Sequence, residues 1–268
     1  SKTHKGNKIW TMSSKDYLKA AIIEVESKIM KEGRKLPTKA KTPISCAYKA
    51  ELDETTELTG EDITYYQELI GILRWSTEIG RVDILLEVAL LSSYQASPRI
   101  GHMEQLLHIF AYIKYKPKLT LYFDPNIPPV DSSIFKMNAE EFKEYYRDAE
   151  DKDPPRMPTP KGRRVKITAF VDASHGANKV TRRSHTGYIL FVNRAPITWY
   201  SKRQNTVETS TFSSEFIALK TCMEGITTLR YKLRMFGVPI DGPEDVLCDN
   251  QSVVNNTTNI ESKLHKKH

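Results

Sequence analysis

The sequence predicts an α/β fold in its second half, a mixed sheet in the order β-β-β-α-β-α, preceded by a mainly helical region. Apolar residues recur every three or four positions in the first half, alternate in short runs after residue 165, and are scarce between the two. A chain of 268 residues with 39% hydrophobic content can build two modest cores. We therefore predict a helical region at 1–123, a proline-rich charged linker at 124–164 and an α/β domain at 165–268.

The helical region begins with the segment "SSKDYLKAAIIEVESKIMKEG". A serine precedes it as a candidate cap, Gly33 is a candidate stop, and its apolar residues have helical spacing: Leu18, Ile22, Val25 and Ile29. Residues 34–60 are polar and contain prolines, which predicts an extended connection. Three further helices are predicted up to Pro117, with breaks at Gly80–Arg81 and Ser97–Pro98. Their aromatic residues are interpreted as core rather than as a base-stacking platform: Tyr65, Tyr66, Trp75, Tyr94, Phe110 and Tyr112.

The linker cannot bury enough apolar surface to order itself fully, although "NAEEFKEYYRDAE" (138–150) has the composition of a short helix. After it, strands are predicted from Lys166 to Asp172, Ser184 to Asn193 and Pro196 to Gln204, as an antiparallel meander. A long helix ending at Gly237 follows, with one predicted apolar face of Phe216, Leu219, Met223, Ile226 and Leu229. A fourth strand then ends on Asp249 and leads into another helix.

Two of these strands end on an aspartate, and Glu215 lies in the first turns of the intervening helix. If the first and fourth strands are neighbours, then Asp172, Asp249 and Glu215 converge. Three carboxylates at close range repel one another unless a hard cation neutralises them, and magnesium fits best. The alternative, on spacing alone equally compatible, is that the aspartates are solvent-facing turn residues and the glutamate an ordinary surface acid.

Charge and cysteine content bear on the kind of partner and on the cellular compartment. The formal net charge of +7 suits a polyanionic partner, although a plain basic surface explains it equally well. Cys46, Cys222 and Cys248 are scattered and lack CxxC spacing, which argues against a disulfide framework and a zinc site. We expect a reducing intracellular compartment, cytoplasm or nucleus, and no membrane partner, since no apolar run approaches the roughly 20 residues that span a bilayer.

Several motifs in the second half resemble the ribonuclease H domain of copia-type LTR retrotransposons. They are "VDASHGAN", "RRSHTGY", "WYSKRQNTV", "SSEFIA" and "DNQ", in that order. Upstream, "YYQELIGILRWSTEIGRVDI" and "PRIGHMEQLLHIFAYIKY" resemble the segment that follows the reverse-transcriptase palm in those polyproteins. The two blocks cover most of the chain.

This resemblance implies that Asp172, Glu215 and Asp249 are metal-binding catalytic acids. The implied enzyme hydrolyses the RNA strand of RNA–DNA hybrids with two Mg²⁺ ions, or Mn²⁺ in their place. The helical region would be the thumb and connection, which grip the duplex, and the palm and fingers of the polyprotein would be partners. Expected nucleic-acid contacts are Arg182, Arg183, Lys202, Arg203, Gln204, Asn205, Asn250 and Gln251; for the two arginines, capping of a solvated turn is an equal alternative.

Two other interpretations remain open, a duplex-binding fragment or element remnant without catalysis, and an integrase or resolvase relative, which the upstream helices do not support. The chain starts at Ser1 and stops at His268, before the last strand, last helix and fourth acid of a complete domain of this family. We therefore expect a fold truncated at its C-terminus, cut from something longer, with weak or no nuclease activity. "KLHKKH" places His265 and His268 three apart, but we expect nucleic-acid contact or solvation there rather than metal binding.

Overall fold

The structure, a computed structural model, describes residues 2–4, 7–130, 143–145, 147, 155–259 and 262. The chain divides into two compact units. The first unit comprises Ser1–Phe123, Ala177–Arg183 and Tyr200–Asn205. The second unit comprises Asp124–Gly176, Ser184–Trp199 and Thr206–His268.

Four helices form the core of the first unit: α1 (Lys15–Lys31), α2 (Glu61–Glu78), α3 (Leu85–Ser92) and α4 (Ile100–Tyr115). The predicted apolar positions of α1 are all buried, because their spacing puts them on one face. Ser14 occupies the N-cap position of α1, but its side chain makes no cap hydrogen bond. The sequence predicts an extended connection before α2. Within it, the structure has a short 3₁₀ helix, Ala50–Leu52.

The aromatic residues of these helices divide between core and surface. Tyr66, Phe110 and Tyr112 are buried, and Tyr65 and Tyr94 pack partly buried against the same cluster. The prediction was wrong for Trp75, whose side chain is 56% exposed. It lies on α2 between the buried positions Leu73 and Ser76, so the buried stripe of that helix passes beside it.

A three-stranded sheet, absent from the sequence-based prediction, belongs to the first unit. Its strands are β1 (Lys2–His4), β2 (Asn7–Met12) and β3 (Leu121–Phe123) in the order β1-β2-β3, with both pairings antiparallel. Trp10 pairs with Phe123 and Met12 with Leu121. The prediction of a mainly helical region therefore needs this correction.

The second half of the chain is α/β with a mixed sheet. Its elements are β4 (Ile167–Ser174), β5 (His185–Val192), β6 (Ala195–Arg203), α5 (Thr211–Met235), β7 (Asp245–Cys248) and α6 (Gln251–Thr258). The strand order is β6-β5-β4-β7. The strand β4 runs antiparallel to β5 and parallel to β7, so the first and fourth strands of this region are neighbours, as the convergence of the acids requires.

Helix α5 covers one face of this sheet. Its glycine, Gly225, lies against the ring of Tyr188, where an added Cβ would be 2.7 Å from the phenolic oxygen. The buried positions of α5 include Ala218, Cys222, Ile226 and Leu229. Met223, predicted to be on the buried face, is instead 44% exposed, because the stripe that faces the sheet runs through Cys222. On the opposite face of the sheet, Phe170 is half exposed and meets the Phe191 ring edge-on.

The short helix predicted at 138–150 is described only in part: residues 143–145 are helical and most of the remainder lies outside the described residues. His265 and His268 also lie outside them. Within the described ranges, every helix is too short or too polar to cross a lipid bilayer.

Candidate active site

Asp172 lies near the end of β4, where it is exposed, between the buried neighbours Val171 and Ala173. In the antiparallel pairing with β5 it stands opposite Gly187, a residue with no side chain to cover it. Its position near the end of the strand leaves this carboxylate open to solvent. The strand extends two residues beyond the predicted end at Asp172, to Ser174.

Asp249 directly follows β7. The parallel register of β4 and β7 ends with Val171 opposite Cys248, so Asp172 and Asp249 are the next residues along two neighbouring strands. Asp249 is exposed, and Asn250 after it caps α6, its side chain accepting hydrogen bonds from the backbone of Ser252 and Val253. This cap turns the chain into a helix at once, which holds Asp249 at the strand end.

Glu215 reaches the same place from α5. Ser210 caps this helix, because its Oγ accepts a hydrogen bond of 3.2 Å from the Ser213 backbone N–H. Glu215 is therefore in the first turns of a well-started helix, and it is only 4% exposed. Its carboxylate hydrogen-bonds with the Asp172 side chain and with the backbone N–H of Ala173. One of its oxygens, Oε2, is buried without a hydrogen-bond partner among the described residues.

The pKa of Glu215 is raised from 4.5 to about 7. Burial is the largest cause, followed by the charges of Asp172 and Asp249 and by the hydrogen bond to Asp172; the Ala173 N–H opposes them. Near neutral pH the carboxyl group of Glu215 is therefore protonated in about half of the folded molecules. A divalent cation would remove this repulsion and favour the ionised form.

The group of possible metal ligands in the structure contains Cys248, which the sequence analysis did not connect with the acids, and does not contain Asp172. Ligand atoms of Glu215, Cys248 and Asp249 all lie within 4.8 Å of one another. Burial raises the pKa of the Cys248 thiol, and burial likewise raises the pKa of its neighbour Cys222 to about 12. A protonated thiol is a poor ligand, whereas carboxylate oxygens suit hard cations. Cys248 could have been connected with the acids from the sequence, because it directly precedes the strand-end Asp249.

His175 and Ser214 flank the acids along the chain. The Ser214 Oγ and the His175 Nδ1 are 3.3 Å apart, and Ser214 is fully buried immediately before Glu215. His185 is buried. The contact to Ser214 ties the segment after β4 to the start of α5.

The remaining predicted contact residues occupy three places. Two segments of the first unit carry most of them: Arg182, Arg183, Lys202, Arg203, Gln204 and Asn205. Arg182 and Lys202 are exposed, whereas Gln204 is only 6% exposed, which leaves Asn205 as the exposed amide of its loop. In the second unit, Asn250 is occupied as a helix cap and Gln251 hydrogen-bonds to Asn255. The main chain of Arg182 closes a turn with Asn178.

Comparison with known proteins shows relatives among transposon proteins. A putative transposon Ty5-1 protein of Saccharomyces cerevisiae is 29% identical over 216 residues, which cover 80% of this chain and 56% of that protein. The retrovirus-related Pol polyproteins from transposons RE1 and RE2 of Arabidopsis thaliana are each 23% identical over 209 residues, 78% of this chain and 12% of theirs. This chain thus spans about half of the yeast relative and about an eighth of the plant polyproteins.

No protein-family model matches the sequence, and no solved structure matches it. The relationship to transposon polyproteins therefore rests on sequence similarity along four fifths of the chain.

Proposed function

This chain is related to the Pol polyproteins of copia-type LTR retrotransposons, and from that premise we propose that residues 165–268 are a ribonuclease H-like domain. Its proposed reaction is hydrolysis of the RNA strand of an RNA–DNA hybrid. The strand order β6-β5-β4-β7, with α5 on one face and the acids at the ends of β4 and β7, supports this proposal.

One observation carries the proposal, the burial of Glu215 beside the two strand-end aspartates. A carboxylate that is 96% buried next to two other acids costs free energy, and its Oε2 has no hydrogen-bond partner among the described residues. Acidic side chains that merely face solvent have no reason to converge in this way. The arrangement is therefore better explained by a functional site than by ordinary surface acids.

The donor set fits magnesium. Three carboxylates from β4, α5 and the end of β7 provide hard oxygen ligands, and both aspartates are open to solvent, where a substrate phosphate can approach. We assign Asp172, Glu215 and Asp249 to hold the ions; Mn²⁺ is the expected substitute. When bound, such ions supply an activated water and charge stabilisation at a phosphate.

The side chains have different proposed roles. Asp172 and Asp249 face solvent and define the substrate side, whereas Glu215 is anchored from behind by α5 and by the Ala173 N–H. Arg182, Lys202 and Asn205 are exposed and supply phosphate and 2′-hydroxyl contacts. The helical first unit is proposed to grip the duplex as thumb and connection, with the palm and fingers of the polyprotein as its partners.

The test is cleavage of a 5′-labelled RNA strand in an RNA–DNA hybrid, with Mg²⁺ or Mn²⁺, by the 268-residue chain. We expect slow cleavage that yields products with a 3′-hydroxyl, and a further loss of at least about a hundredfold in rate for Asp172→Asn, Glu215→Gln and Asp249→Asn. Glu224→Gln is the matched control, since Glu224 lies on the exposed side of the same helix.

Binding of the hybrid without cleavage in both metals would instead favour the second candidate, a duplex-binding fragment. The formal net charge of +7 is the observation that supports that candidate. Cleavage that survives all three acid substitutions would overturn the assignment of the site.

A further inference from the structure

A cavity of about 280 Å³ lies in the first unit between α1 and the C-terminal end of α4. Its apolar walls are aliphatic, and the described lining contains no aromatic ring: Leu18, Ile22, Ile23, Ile113, Pro117 and Leu119. An apolar cavity of about 150 Å³ already accommodates benzene, so this space can hold a small organic molecule. Because no aromatic side chain in the described lining can stack on a planar ring, the lining is suited to an aliphatic body.

The polar end of the cavity is the start of α1. Ser14 lines it, is 3% exposed, and its Oγ has no hydrogen-bond partner among the described residues. Ser14 also stands at the N-cap position without making the usual cap bond. A buried hydroxyl without a partner is unfavourable, and the partial positive charge of a helix N-terminus attracts anions. The two features together indicate that a bound ligand would supply the hydrogen-bond acceptor for the Ser14 hydroxyl.

The charges around the cavity indicate the sign of that acceptor. Lys114 is paired with Glu26 at 2.6 Å, and Arg81 is paired with Asp83 at 2.8 Å. Lys15 and Lys19 also line the cavity, and within the described ranges neither has an ion-pair partner. The unneutralised charge at this end is therefore positive.

We propose that this cavity binds a small aliphatic monocarboxylate. Its carboxylate accepts a hydrogen bond from Ser14 Oγ and lies near Lys15 at the first turn of α1, and its chain lies along Leu18, Ile22 and Ile113. The cavity shares no residue with the acidic cluster of the second unit. Failure of this proposal would therefore leave the proposed nuclease function unaffected, and the reverse also holds.

The test is a ¹H–¹⁵N NMR titration of the 268-residue chain with sodium octanoate, matched by 1-octanol, which has the same chain and no charge. We expect saturable shifts at residues 14, 18, 22 and 113, and binding of octanoate roughly tenfold tighter than of octanol. N-acetyl-leucine separates a free aliphatic acid from a peptide C-terminus, and we expect it to bind more weakly than octanoate.

Two pairs of variants make the test specific. Ser14→Ala and Lys15→Gln should each weaken octanoate binding about threefold or more. Ser27→Ala and Lys31→Gln, on the same helix and outside the cavity lining, should leave it unchanged. Non-saturable shifts, equal binding of octanol, tighter binding of N-acetyl-leucine, or full affinity in a folded Ser14→Ala variant would each overturn the proposal.

Discussion

Glu215 at the start of α5 hydrogen-bonds with Asp172 on β4, although Glu215 is buried and Asp172 is exposed. The contact therefore joins a buried carboxyl group to one that faces solvent. Because the two groups are both acids, the contact is favourable only when one of them carries a proton or when a cation stands with them. Several consequences of this relationship can be measured.

The stability of the metal-free protein should fall as pH rises from about 4.5 to 7. The folded pKa of Glu215 is about 7 against 4.5 in the unfolded chain, so the folded state binds more protons in this window. The stabilising contribution is complete below pH 4.5 and is lost as pH passes through 7. Thermal unfolding in EDTA across this range measures it; a melting temperature that rises through the window would contradict the raised pKa.

Glu215→Gln should stabilise the metal-free protein at pH 8 and leave its stability nearly unchanged at pH 4. Glutamine keeps the shape and removes the buried charge, so the expected gain is about 1–3 kcal/mol at pH 8. Chemical denaturation in EDTA measures both values. Glu224→Gln, at an exposed site of the same helix, should change neither by more than about 0.5 kcal/mol.

Gly225→Ala should destabilise the second unit by about 1–3 kcal/mol, because the new Cβ would lie 2.7 Å from the Tyr188 hydroxyl oxygen and 3.1 Å from its Cζ. The matched control is Gly71→Ala on α2, where no atom lies within 4 Å of the added carbon. That change should stabilise the protein by about 0.5–1 kcal/mol. Equal effects at the two positions would show that α5 does not pack on β5 as closely as described.

Hybrid binding should weaken steeply with salt. A protein that neutralises phosphates releases counterions, so affinity falls with the logarithm of salt concentration. Fluorescence anisotropy between 50 and 200 mM salt should show this fall, and Lys202→Gln should lower the slope by about one. A flat response to salt would exclude phosphate neutralisation as the main source of affinity.

The elements of the second half were predictable because each has a strong local pattern. The alternation of Ile167, Ala169 and Val171 and the glycine after α5 are visible without tertiary information. Met223 was misplaced because helical spacing alone leaves the direction of the buried stripe uncertain by one residue, and contact with Tyr188 decides it. Two apolar stripes fit the same α5 sequence, and the sheet selects one of them.

The small sheet of the first unit was not predictable for a different reason. Trp10 and Phe123 pair across more than a hundred residues, and each strand alone is short and of mixed polarity. At the candidate site, the strand-end positions of Asp172 and Asp249 could be anticipated, but the burial of Glu215 could not. That burial depends on how α5 is placed on the sheet, which the spacing of residues does not encode.

Mn²⁺ binding measured by electron paramagnetic resonance at pH 8 tests the central claim, that three carboxylates from β4, α5 and the end of β7 share divalent ions. The account predicts saturable binding by the 268-residue chain, weakened about tenfold or more by each of Asp172→Asn, Glu215→Gln and Asp249→Asn, and unchanged by Glu224→Gln. Absence of binding, or binding of equal strength in the three acid variants, would contradict it.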